Sequence, residues 1–221
     1  MKKDYIIQKS KNSKHFSISG IEVEIKDELI NGVSIKVVLG EVFSLIPRKL
    51  LSNIDKIMVG QFEELNLRKI QAMYDNKTIF VTNHQSSNED LLDDIIHEIA
   101  HSVEDRHGDI IYSDGQIEKE FLFKRKKLWM TLGNKGFELP LEYFLETEYN
   151  EKFDMFLYEK VGYKLLNTIT AQIYYSAYAA TSLREYFANG FEAFFLKEDI
   201  DRLKTISPNL FFKLRALISA E

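Results

Sequence analysis

The segment His97-Glu98-Ile99-Ala100-His101 sets two imidazoles four residues apart with a carboxylate directly after the first. On a helix, residues four apart share a face, so both rings reach one cation. Glu98 then stands where a carboxylate reaches a water on that cation. Zinc lowers the pKa of such a water toward neutrality, and the carboxylate takes its proton. The chain has five histidines and no cysteine. Chance would give this pattern on the order of once in a hundred chains of such composition. With no thiolate available, the metal must be held by His, Asp and Glu. The predicted chemistry is hydrolysis at one zinc per chain, with Glu98 as general base.

A catalytic zinc takes a third protein ligand and keeps one position open. Two residues compete for that role. His107 lies six residues after His101, the spacing of the metzincin pattern H-E-x-x-H-x-x-G-x-x-H, but Glu104 stands where that pattern turns on glycine. Glu185 is the other candidate, and it is also the fourth residue of a capping box opened by Ser182, a purely structural role. The residues alone leave both roles of Glu185 open. Tyr178, in a run with Tyr174 and Tyr175, reads as chemistry or as packing. Glu104 and Asp105 read as carboxylates orienting a ligand histidine or as surface acids at a helix end.

The segment Tyr178-Ala-Ala-Thr-Ser-Leu-Arg-Glu185-Tyr-Phe-Ala resembles the second zinc-site segment of the anthrax lethal factor-like peptidases, which include the Pro-Pro endopeptidases. There a tyrosine precedes by seven residues a glutamate that opens E-[FY]-F-A on a helix. The resemblance implies Glu185 as third zinc ligand and Tyr178 as hydroxyl donor to the substrate carbonyl or oxyanion. His101-Ser-Val-Glu-Asp105 resembles the family's H-x-V-D-D. Arg202-Leu-Lys, Pro208 and Phe211/Phe212 resemble its closing arrangement. The likeness covers roughly residues 54–105 and 174–217, a little under half the chain. His97 and Glu185 are 88 residues apart (185 − 97), more than in the family, which implies a helical insertion within about 106–170. The family's characterised members are exported.

Several elements must position these residues. Residues 1–16 are polar and predicted to fray. Ile18–Lys26 alternates as a strand, 33–42 fits strand or helix, Pro47 opens a short helix, and Ile54–Val59 reads as a strand. Residues 70–82 make a hairpin around Asp75-Asn76. Its second strand, 77–82, is expected at the sheet edge beside a cleft, where an extended peptide adds as a strand. Ser86–Asp90 opens the helix carrying His97, and Gly108 is expected to end it. Between 109 and 170 the pattern is helical in pieces, broken at Gly133, Gly136 and Pro140. Lys124–Lys127 reads as a solvated basic face, and Trp129 with the aromatics of 121–163 as core. An aromatic helix follows Ser182, and two helical pieces close the chain.

The expected fold is α+β: one zincin-like domain over 1–221, a small N-terminal sheet over the zinc helix and a helical C-terminal part. At 45% hydrophobic residues and a net charge of −5, the chain can bury a core and lacks the basic surplus of a nucleic-acid binder. No signal-peptide or membrane-spanning stretch stands out, which predicts a cytosolic chain or delivery by another route, in a bacterial or phage setting. The predicted activity is a zinc metalloendopeptidase acting on a peptide or protein, without nucleic-acid or membrane partners. The alternative is a zinc-binding interaction protein that kept the fold and does not cleave. An intact Glu98 speaks against it, since a structural site needs no base.

Overall fold

Two tight turns start the sheet. Ser19 and Gly20, both with positive φ, join β1 (Lys14–Ile18) to β2 (Ile21–Ile25). Asn76 and Lys77, at φ 43° and 63°, join β4 (Ala72–Asp75) to β5 (Thr78–Thr82), with Asp75 opposite Thr78. Two positive-φ residues give a turn whose twist matches that of the strands. The computed structural model describes residues 14–197 and 199–219. Residues 1–13 of the stretch expected to fray lie outside the described residues, and 14–16 belong to β1.

The chain divides into two compact units, Met1–Arg106 and His107–Glu221. In the first, β3 (Lys56–Gly60) pairs parallel with both β2 and β5, giving the order β1-β2-β3-β5-β4. Residues 77–82 are therefore not at the edge. β5 lies inside the sheet with Ile79 and Val81 fully buried, and β4 takes the edge. A strand this apolar gains more between two neighbours than at a margin. The ambiguous stretch after Val33 forms helix α1 (Ile35–Leu45), burying Ile35, Val38, Leu39 and Val42 along one stripe. A 3₁₀ turn (Arg48–Leu51) follows Pro47, and a short helix α2 (Glu63–Arg68) follows β3.

Helix α3 (Asn88–Tyr112) carries His97. The Asp90 amide donates to Ser87 Oγ at 3.1 Å, capping it, and Glu89 and Asp90 sit favourably in its first turn. Leu92, Ile95, Ile96, Ile99, Ala100 and Val103 are buried as the periodicity requires. Gly108 does not end this helix. A glycine stops a helix by turning left-handed, and it is Gly115, at φ 64°, that does so before the next one.

The second unit is helical: α4 (Gln116–Gly133), α5 (Leu141–Leu145), α6 (Glu151–Met155) running into a π-helical turn (Phe156–Val161), α7 (Tyr163–Thr170), a 3₁₀ turn (Tyr178–Ala180), α8 (Leu183–Leu196), α9 (Ile200–Ile206) and α10 (Pro208–Ser219). The basic run on α4 is not a solvated face. Lys124 and Arg125 are buried, and only Lys126 and Lys127 are exposed. Arg125, at 0% exposure, donates to the carbonyls of Phe144, Tyr143, Glu146, Ala180 and Thr181, and its guanidinium lies 3.7 Å from the Phe153 ring centroid. Lys124 Nζ donates to the carbonyls of Ile173 and Ile206 and to Ser207 Oγ. Burial lowers the Lys124 ammonium to about 8. Glu120 accepts the Tyr186 hydroxyl and the first amides of α10, those of Asn209 and Leu210. Of the aromatics expected in the core, Phe121, Phe144, Phe153 and Phe156 are buried. Phe123 and Tyr158 are exposed, Phe123 at 72%, because they fall off the buried stripes of their helices, and Tyr149 is exposed in the connection before α6. No helix among the described residues is long and apolar enough to cross a membrane.

Arg125→Leu should destabilise the second unit by about 3 kcal/mol or more, since five carbonyls, three of them in buried bonds, lose their donor. Lys126→Leu, one residue on but exposed, should change stability by less than about 0.5 kcal/mol. Denaturant titration followed by the single Trp129, whose Nε1 donates to the Leu139 carbonyl within this unit, reads both.

Candidate metal centre

The spacing of His97 and His101 places both imidazoles on one face of α3, with ring centroids 5.0 Å apart and planes at 84°. One ligand atom each from His97, Glu98 and His101 lies within 4.8 Å of the others. His101 and Glu98 are buried, at 6% and 8% exposure, while His97 is half-buried. Two imidazoles and a carboxylate, with no thiol in the chain, are the donor types of a catalytic zinc site. His101 Nδ1 faces Glu104 Oε2 at 3.7 Å. A carboxylate on that side favours a proton on Nδ1 and leaves the Nε2 lone pair for a cation.

A buried carboxylate needs donors. Glu98 Oε2 accepts the Tyr74 backbone amide at 2.6 Å, from the edge strand β4. The strand is in turn tied to the helix through its side chain. The Tyr74 hydroxyl donates to Asp105 Oδ2 at 3.0 Å and accepts from Asn53 Nδ2 at 2.8 Å. Asn53 Nδ2 also approaches Asp105 Oδ2 and the Ser102 carbonyl. Asp105 thus serves the strand–helix junction, and Glu104 is the carboxylate that faces a histidine. One turn before Glu98, Asp94 accepts from Gln85 Nε2 at 2.9 Å. Burial, the largest cause, and the Glu98 charge push the Asp94 carboxyl up to about 6, against the opposing Gln85 bond.

Residues 101–107 stay helical, so the metzincin turn does not form. On a continuous helix His107 lies roughly 9 Å farther along the axis than His101.

Glu185 and Tyr178 lie in the second unit. Ser182 Oγ accepts the Glu185 amide at 3.1 Å, which is the predicted cap of α8. The Glu185 carbonyl accepts from Asn189 Nδ2, and Asn189 Oδ1 accepts the Ser176 hydroxyl, bracing the turn against the helix. Tyr178 is on the 3₁₀ turn one helical turn upstream, whose following carbonyls are those held by Arg125. Its hydroxyl is raised above its ordinary value, first by burial and then by the charges of Glu185 and Asp154. A phenol so placed keeps its proton at neutral pH and remains a donor. The first unit therefore gathers His97, Glu98 and His101, and the second sets Tyr178 beside Glu185.

Tyr74 and Asn53 had no signal as site residues. The Tyr74 contact is made by a backbone amide, which every residue but proline has. Asp94 was detectable in principle, since it precedes Glu98 by four on the same helix. Comparison of the chain with protein-family models, curated proteins and solved structures finds no match.

In the metal-free protein the contribution of Asp94 to stability should be lost as pH rises from about 4 to about 6. A carboxyl whose folded pKa is raised binds its proton more tightly folded than unfolded, so its contribution is complete below the unfolded value and is lost through the folded one. Asp94→Asn should flatten that part of the profile. An unchanged difference between pH 4 and pH 6 in thermal melts of the two proteins would contradict the assignment.

Proposed function

We propose that the protein is a zinc-dependent endopeptidase on a zincin-type α+β fold, with His97, His101 and Glu185 as metal ligands, Glu98 as general base and Tyr178 as oxyanion donor. The observation that carries this reading is the convergence of half-buried His97 with buried Glu98 and His101 within 4.8 Å. Glu185 and Tyr178 enter through the resemblance of their segment, supported by the Glu185 charge acting on the Tyr178 hydroxyl.

Zinc, when bound, supplies a Lewis acid and a water acidified toward neutrality. The chain's own residues do the rest. Glu98 is fixed at Oε2 by the Tyr74 amide, so its other oxygen takes the proton of the attacking water and delivers it to the leaving amine. The Tyr178 phenol donates to the oxyanion as the carbonyl becomes tetrahedral. An extended peptide would add as a strand along β4, the sheet edge among the described residues, through backbone groups other than the Tyr74 amide, which Glu98 holds.

Purified protein should bind one zinc per chain. Glu98→Gln should abolish hydrolysis of peptides from a random library and keep the metal. Glu185→Ala should weaken zinc binding and His107→Ala should not, both read by competition with a chelator. Tyr178→Phe should hold zinc and fold yet lose turnover by about a hundredfold, the usual cost of one oxyanion donor. An empty site after zinc addition, or full activity in Glu98→Gln, would overturn the proposal.

A further inference from the structure

Helix α4 turns one stripe to the core and leaves the opposite one uncovered. Lys119, Phe123, Lys126, Lys127 and Met130 are all exposed, Phe123 at 72% and Met130 at 47%. On a regular helix these five positions fall within about 100° of arc. None of the three lysines has a carboxylate three or four residues away in either direction, so no pair along the helix neutralises it. The two carboxylates of α4, Glu118 and Glu120, lie off this stripe, and Glu120 is taken up by the Tyr186 hydroxyl and the first amides of α10. The other ties of the helix also leave from different sides. Lys124 and Arg125 point into the core, and Trp129 donates to the Leu139 carbonyl.

A solvated helix face ordinarily mixes both signs of charge. Here three cations alternate with a phenyl ring and a thioether, and no anion stands among them. The counterpart must therefore offer negative charge and an apolar medium side by side. A nucleic-acid duplex offers phosphates along its backbone without the apolar medium. A protein could offer both, but the stripe is too small to hold one. From Lys119 to Met130 it is about 16 Å long and about 10 Å wide, on the order of 200 Å², against roughly 800 Å² per partner in a stable complex. It is also convex, being one face of a single helix. An anionic bilayer offers charge at its headgroups and hydrocarbon just beneath them, and it sets no minimum area.

We infer that the outer face of α4 is a docking surface for an anionic lipid membrane. The three ammonium groups meet headgroup phosphates, and Phe123 and Met130 reach the acyl boundary between them. Their aliphatic stems let the lysines lie along the interface while the charges stay in water. The contact is peripheral. No helix among the described residues is long and apolar enough to cross a membrane, which bears on crossing and not on docking. The net charge of −5 opposes approach at long range, but charges farther away than about 10 Å are screened at 0.1 M salt, so the local stripe governs the contact. The surface lies wholly within the second unit and is independent of the peptidase reading.

The test uses the full chain and sucrose-loaded vesicles of phosphatidylcholine alone or of equimolar phosphatidylcholine and phosphatidylglycerol, read by co-sedimentation. Partition into the mixed vesicles should exceed that into phosphatidylcholine by on the order of a hundredfold, since each lysine near an anionic surface contributes about fivefold. The excess should fall as salt is raised. Combining Lys119→Gln, Lys126→Gln and Lys127→Gln should remove it. Phe123→Ser should weaken binding to the mixed vesicles by about tenfold and keep its salt dependence. Lys152→Gln, Lys164→Gln and Lys204→Gln together take the same charge from exposed positions of the same unit and should leave binding unchanged. Circular dichroism melts check that each variant folds. Equal partition into the two kinds of vesicle overturns the proposal, as does a second triple variant that loses as much as the first, or full binding in Phe123→Ser. Binding of a duplex oligonucleotide through the same three lysines, with vesicles left unbound, assigns the stripe to phosphate backbones and overturns it as well.

Discussion

The hydrogen bond from the Tyr74 amide to Glu98 ties the first unit together. Among the described residues of that unit Glu98 is the buried carboxylate, and burying a lone carboxylate costs several kcal/mol unless a donor meets it. That donor is a backbone amide on the edge strand. The strand can present it only if β4 lies against α3 in one register, because a slip of one residue turns the amide to the other side. Two devices hold the register. The Asn76-Lys77 turn fixes β4 against β5, and the Asn53–Tyr74–Asp105 cluster fixes β4 against the helix. Glu98, the edge strand and the helix are thus one mechanical piece.

The second unit solves a related problem with the opposite charge. Lys124 and Arg125 are buried without a carboxylate between them and are met by carbonyl oxygens at the ends of helices and turns. Helix C-termini and turns carry unpaired carbonyls that need donors. A buried cation that gathers several of them joins segments that are distant in sequence. Arg202 does the same at the surface, donating to the carbonyls of Ala171, Tyr174 and Tyr175.

The parts legible in the sequence were those with a local signal. The hairpin, the capped helix of His97, the Ser182 cap and the closing helices all rest on turn chemistry, caps and periodicity. The error at Gly108 came from reading a glycine as a stop without the left-handed conformation that makes it one. The error on Lys124 and Arg125 came from reading charge before period. Positions 117, 121, 124, 125, 128 and 132 form one continuous buried stripe on α4, and the two cations lie on it. Strand order was not legible at all. That β5 lies inside and β4 outside depends on the pairing of β3 with β5, which no residue spacing encodes. The convergence of His97, Glu98 and His101 was legible because it is a helical spacing. The Tyr74 amide was not, because it belongs to the backbone.

The long separation between the His97–His101 and Tyr178–Glu185 segments takes on a physical meaning from Arg125. An insertion that merely decorated a surface would share few buried contacts with the elements it interrupts. Here one guanidinium on α4 holds the carbonyls of Tyr143 and Glu146, inside the extra stretch, together with those of Ala180 and Thr181, on the turn that carries Tyr178. The Leu183 amide adds a further tie by donating to the Thr147 carbonyl. The extra residues are therefore part of the support for Tyr178 and for the start of the Glu185 helix. Loosening them would act on that turn through Arg125 before it acted on any surface they present. A change of sequence in 141–170 must preserve those carbonyl positions, which confines tolerated variation to exposed side chains such as Tyr149, Tyr158 and Tyr163.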